Sequence, residues 1–159
     1  MADSLLVPLL LAALVANALA AGFFYAFACA VMPGLARVDD RTFVSTMVAV
    51  NAAVKNPLFA LSFFGGVLLP AAALLAALLS GEGGTARWIG VAVALFMVQY
   101  LVTFSRNIPL NLRLARDVRG PHASTRRAFE KPWVRANGVR TVAATGSVLS
   151  LGLALLATV

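Results

Sequence analysis

Residues 103–120, TFSRNIPLNLRLARDVRG, end a long apolar run with Arg106, Asn107, Pro109 and Asn111. Counted in steps of four, Gln99, Thr103, Asn107 and Asn111 lie on one slowly winding helical stripe whose flanking positions are largely apolar. Such a stripe faces something other than lipid, because a polar group in hydrocarbon costs a few kcal/mol until it finds a partner. A second set, Trp133, Asn137 and Arg140 in KPWVRANGVRT, stands at i, i+4 and i+7 on a single helical face. A third face carries Phe43, Met47 and Asn51. Amides and cations on separate helices, all near the same end of the apolar segments, would build a ligand pocket between facing helices. Tyr25 lies near that end of the first segment and would supply a phenolic wall. Each residue alone has an ordinary role: span-end arginines snorkel, tryptophans anchor at interfaces, and asparagines bond to neighbouring helices. It is the gathering of several asparagines that favours a pocket.

The elements that position these groups follow from composition. Apolar side chains make up 61% of the 159 residues and charged ones 12%, outside the usual range of soluble domains. A helix needs about 20 mostly apolar residues to cross a bilayer, and four stretches qualify or nearly do: 5–31, 57–80, 88–105 and 141–158. The third is the shortest, and Arg106 would snorkel from its end. The expected architecture is all-α, a four-transmembrane-helix bundle forming a single integral membrane domain over 1–159, with a short amphipathic helix between spans one and two. ANALAAG at 16–22 resembles a signal-peptidase site. However, the leading MADS has no lysine or arginine and the apolar run continues past the site, so an uncleaved first span is expected.

Twelve of the thirteen lysines and arginines lie between spans one and two or between spans three and four, leaving Arg87 opposite. By the positive-inside rule both termini face outward and the basic connections are cytoplasmic. The net charge of +7 is then a topology signal with a secondary attraction to anionic lipid, and nucleic acid is not an expected partner. One cysteine, Cys29, and one histidine, His122, exclude an internal disulfide and a multi-histidine metal site. Arginine far outnumbers lysine, which points to a GC-rich bacterial genome and hence a bacterial inner membrane.

Between spans one and two, Asp39 and Asp40 are candidate N-caps. Asn56 precedes Pro57, a pairing that ends one helix and caps the next, with contact to a ligand as the alternative. Gly65, Gly66 and Pro70 predict a kink in span two near Gly66. The turn SGEGGT at 80–85 makes spans two and three antiparallel neighbours. Pro109 cannot donate to the Ser105 carbonyl, which predicts a kinked polar end to span three. Gly146 and Ser150, four apart, suit tight packing of span four.

FFYAFACAVMPGL at 23–35, VNAAVKNP at 50–57, RNIPLN at 106–111 and the series Trp133, Asn137, Arg140, Thr141 resemble the anthrone oxygenase-like family of small four-helix membrane proteins. Leu112 departs from the second polar residue usual in that motif. The resemblance implies oxygenation without a cofactor, in which a polyketide-derived tricyclic anthrone takes up dioxygen and becomes an anthraquinone. On that reading Arg106 and Arg140 stabilise the enolate or a developing superoxide. Asn51, Asn107 and Asn111 orient phenolic oxygens, and Trp133 and Tyr25 stack on the rings. Gln99, Thr103, Asn137 and Asn56 complete the binding wall. No span carries a carboxylate or histidine, so Tyr25, the substrate's own acidity or a water must take the proton.

Two other readings use the same polar end: a protein that binds or transports a lipid- or quinone-like molecule without transforming it, and an accessory subunit of a larger assembly. No acidic residue within a span argues against ion-coupled transport. The expected partners are a small hydrophobic aromatic substrate, dioxygen and membrane lipids, with a homo-oligomer left open.

Overall fold

The computed structural model describes residues 2–158, with side chains from residue 5 onward. Its elements are helical: α1 (Ala2–Ala26), a π-turn (Phe27–Val31), α2 (Met32–Leu35), α3 (Asp40–Ala53), α4 (Pro57–Leu79), α5 (Gly83–Val102), a second π-turn (Thr103–Asn107), α6 (Ile108–Arg116), a 3-10 turn (Asp117–Arg119) and α7 (His122–Leu156). Four stretches are long and apolar enough to cross a membrane: Leu5–Leu35, Pro57–Leu79, Gly83–Arg119 and His122–Leu156. The expected four-helix bundle with a short helix between its first two spans is therefore the architecture observed.

The helices outrun the apolar segments that announce them. Span four begins as a helix at His122, well before 141, because Thr125, Phe129, Trp133, Ala136, Asn137 and Arg140 recur at helical spacing and are all buried. Pro132 is tolerated inside α7: the carbonyl it leaves without a donor belongs to Ala128, an exposed residue. Span three likewise continues through its polar end instead of breaking at Pro109.

The two π-turns share one cause. In each, the last backbone N–H before an X-Pro pair reaches back five residues, Met32 to the Phe27 carbonyl and Ile108 to the Thr103 carbonyl. Pro33 and Pro109 follow immediately, so the wider turn falls where each proline would interrupt the α ladder. Both turns lie at the end of the bundle that carries the basic residues.

At that end, α3 tucks beneath the spans. Asp39 caps it, accepting from the Thr42 backbone N–H at 3.0 Å and its hydroxyl at 2.6 Å. The hydroxyl bond above all holds the Asp39 carboxyl below its ordinary pKa. Phe43, Val44 and Met47 bury the inner face of α3. Arg126 of α7 then fastens the α2–α3 link, donating to the carbonyls of Val38 (2.8 Å), Ala36 (3.2 Å) and Leu35 (3.4 Å), to Asp40 (3.1 Å) and to Glu130 (2.7 Å). Its guanidinium also lies 4.5 Å from the Phe43 ring centroid.

The core changes character along the bundle. Near the termini it is small and aliphatic, with Leu10, Ala13, Ala73, Ile89, Ala92 and Leu151 in close contact. The middle and basic end are aromatic, from Phe24, Phe63 and Phe96 to Phe43, Phe129 and Trp133. Gly66 sits where the small layer gives way: a Cβ there would lie 2.3 Å from the tip of the buried Phe96 ring. In this region one polar knot joins all four spans. Pro70 has no N–H for the Gly66 carbonyl, and buried Asn17 supplies it instead, donating from Nδ2 at 3.1 Å. Asn17 Nδ2 also reaches the Ala13 carbonyl at 2.9 Å. The Ser147 hydroxyl lies 2.9 Å from both Asn17 Oδ1 and the Ala92 carbonyl, either of which can accept its proton. α4 runs as a single helix from Pro57 to Leu79, so the Gly66–Pro70 step does not end it.

Candidate functional site

Above that knot, at the basic end, a cavity of about 620 Å³ lies between α1, the α3–α4 corner, α4, the second π-turn with α6, and α7. This is the size range of small-molecule pockets. Phe23, Phe27, Phe59 and Phe63 line it together with Trp133, and the polar contributors are Asn51, Lys55, Asn56, Thr103, Asn107, Asn111 and Arg140. Aromatic walls with a few convergent polar groups suit a flat ring system that carries oxygen substituents.

Arg140 is the chemical centre. Only 6% of it is exposed, and no carboxylate among the described residues pairs with it. It is held by neutral groups: Nη2 donates to Asn137 Oδ1 at 2.8 Å, and Nη1 to the Thr103 hydroxyl at 3.4 Å. The Thr103 hydroxyl in turn donates to Gln99 Oε1 at 2.9 Å. The guanidinium stacks against Phe24, 4.5 Å from the ring centroid, and approaches Trp133 at 5.4 Å. A cation–π contact contributes about 0.5 to 2 kcal/mol, less than the several kcal/mol that burying a cation costs. Arg140 lines the cavity.

Four of the candidates carry buried polar atoms with no hydrogen-bond partner among the described residues: Arg140 Nε, both Asn107 side-chain atoms, Asn51 Nδ2 and Gln99 Nε2. Buried polar atoms are ordinarily paired, so unpaired ones on residues that line or back a cavity make it a candidate site. Asn111 is partly committed, since its Oδ1 accepts from Trp133 Nε1 at 2.8 Å and so fixes the indole ring in the wall.

The sequence-derived candidates divide into four groups. Asn51, Thr103, Asn107, Asn111, Trp133 and Arg140 come together on the cavity. Gln99 and Asn137 are fully buried behind it and act on Thr103 and Arg140. Tyr25 and Arg106 stand outside. Tyr25 is 59% exposed, because Phe24 and Phe27 occupy the inward positions of α1 and its π-turn. Arg106 is exposed because the stripe that turns Thr103 and Asn107 inward leaves the intervening residue on the outer face. Asn56 touches the cavity rim, but both ends of its amide are occupied. Oδ1 accepts from the Phe59 N–H at 3.0 Å and Nδ2 donates to the Ala53 carbonyl at 2.8 Å, so its work is capping.

Sequence reasoning missed the phenylalanines of the wall, Lys55 at the rim and Phe24 beneath Arg140. No local signal marks Phe24: Asn137 Nδ2 donates to the Phe24 carbonyl at 3.0 Å, a contact that exists only once α1 and α7 are packed. A family model described as anthrone oxygenase matches residues 58–150, a stretch that carries Thr103, Asn107, Asn111, Trp133, Asn137 and Arg140. No curated protein and no solved structure matches the chain.

Proposed function

The chain belongs to the anthrone oxygenase family, and from that premise we propose that it is a membrane-embedded oxygenase acting on an anthrone-like polycyclic ketone of polyketide origin. The single observation that carries the reading is Arg140, a buried cation without an acidic partner on the wall of an aromatic cavity. Such a group favours the anion of a bound ketone over the neutral form, and fixed charges in a dry site act strongly because they need no reorganisation.

The chemistry balances without a further reductant. The ring methylene opposite the ketone loses a proton, and the electron pair moves onto the ketone oxygen, which Arg140 stabilises from the cavity wall. The enolate passes one electron to dioxygen; the carbon radical and superoxide then join in a C–O bond at the former methylene. The peroxide takes up a proton, and loss of water with the second C–H hydrogen leaves a carbonyl. One dioxygen is consumed, with one oxygen atom in the quinone and one in water. Asn107, offering a free donor and a free acceptor, orients hydroxyls beside the ketone, and Asn51 adds a donor. Trp133 and the phenylalanines hold the ring plane. With Tyr25 on the outer surface, the first proton leaves to water or by the acidity of the substrate itself.

The clustering of the basic residues supports a reading in which the cavity lies at the cytoplasmic side of a bacterial inner membrane, with both termini outside. The test is oxygen uptake and quinone absorbance when the purified, metal-stripped protein meets emodin anthrone. Acceleration over buffer that is lost in Arg140→Ala and kept in Arg106→Ala supports the reading; no acceleration removes it.

A second reading, binding of a lipid- or quinone-like molecule without turnover, draws on a larger apolar groove of about 960 Å³ between α1 and α4. Leu11, Val15, Leu19 and Leu61 line it, and it shares Phe23 and Phe59 with the cavity. Tight binding of a quinone with no oxygen uptake from any anthrone would favour that reading.

A further inference from the structure

The cavity has a second cation. Lys55 lines its rim and lies in no ion pair among the described residues. Among the described residues no aspartate or glutamate lines the cavity, and its ionisable lining groups are Arg140 and Lys55. Lys55 is also not carried on a loose loop. Its N–H donates to the Ala52 carbonyl at 3.2 Å, the next N–H, of Asn56, donates to Val54 at 2.8 Å, and the Asn56 side chain clamps α3 to α4 from both ends. The backbone beneath the lysine is therefore held by hydrogen bonds on both sides.

We infer that Lys55 is a specificity-determining residue that selects substrates bearing a carboxylate on the ring edge facing the mouth, while Arg140 takes the ketone oxygen. This inference rests on the oxygenase reading of the cavity and narrows its substrate class to aromatic keto acids. The physical basis is pairing of charge: one anionic group of a flat ligand for each cation on the cavity wall, Arg140 buried and Lys55 exposed. Because Lys55 is exposed, the pairing is worth at most about fivefold in affinity, the ceiling for an ion pair in contact with water. The same ammonium could instead bind a lipid phosphate, and the test separates the two anions.

The probes are anthraquinone-2-carboxylate and 2-methylanthraquinone, which have the product's ring system and undergo no turnover. Binding is read from quenching of Trp133 in a Trp88→Phe background, in nanodiscs of phosphatidylcholine alone. The expected result is a preference for the carboxylate of about fivefold that Lys55→Gln removes and Lys55→Arg keeps, with the methyl compound bound equally by all three. Equal affinities in the parent protein overturn the inference and leave the oxygenase reading intact. A preference that survives Lys55→Gln places the carboxylate on Arg140 and also overturns it. Loss of the preference on adding phosphatidylglycerol assigns Lys55 to lipid headgroups, with the same consequence. Failure of both probes to bind removes the cavity reading itself.

Discussion

Asn137 and Arg140 face each other one turn apart on α7, with Arg140 Nη2 donating to Asn137 Oδ1 at 2.8 Å while Asn137 Nδ2 donates to the Phe24 carbonyl of α1 at 3.0 Å. The amide thus relays the position of one span to the charge on another. Replacing it with leucine keeps the branched shape and removes both bonds. Asn137→Leu is expected to lower oxygenase turnover by about a hundredfold, the order found when a catalytic group moves by about 1 Å. Binding of 2-methylanthraquinone should hardly change. Steady-state turnover set beside Trp133 quenching checks this; parallel loss of both would mean that Asn137 supports the cavity and not the charge.

The knot around Asn17 predicts a conditional stability effect. Asn17→Ala strips the Gly66 carbonyl of the donor that replaces the one missing at Pro70. An unsatisfied buried group of this kind costs about 1 to 3 kcal/mol. In Pro70→Ala the backbone N–H returns, so the same Asn17→Ala change should cost distinctly less. A double-mutant cycle followed by denaturant unfolding in detergent micelles measures the difference; strict additivity would show that the two residues are not linked through that carbonyl.

Arg126 predicts a local loosening instead of global unfolding. Its contacts with Leu35, Ala36, Val38 and Asp40 hold the start of α3, whose far end carries Asn51 and leads to Lys55. In Arg126→Ala, amide hydrogen exchange should rise over residues 36–50 and leave α5 unchanged, and KM should rise more than kcat falls. Unchanged exchange in α3 would contradict the latch.

Much of this arrangement was legible in the sequence, and the parts that were not have identifiable causes. The four spans, the Asp39 cap and the Asn56 cap follow from hydropathy and from side chains acting on neighbouring backbone, which are local rules. The stripe of Thr103, Asn107 and Asn111 was also readable, and taken strictly it would have excluded Arg106, which shares the charge of Arg140 but not the face. Tyr25 failed for the same reason. Asn17 was overlooked because its partner is a carbonyl freed by a proline on another helix, a relation that appears only once α1 and α4 are packed. The π-turns look like ordinary helix in sequence, apart from the MP and IP pairs that follow them.

The central claim is that Arg140 favours the anion of a bound anthrone, and it can be measured with no oxygen present. Under nitrogen, 1,8-dihydroxyanthrone bound to the protein can be titrated by the absorbance of its enolate, with Trp133 quenching confirming that it stays bound. The account predicts an apparent pKa in the parent protein at least about one unit below that in Arg140→Gln, equivalent to about 1.4 kcal/mol of preference for the anion. The same ionisation in both proteins, with the ligand bound in each, would contradict it.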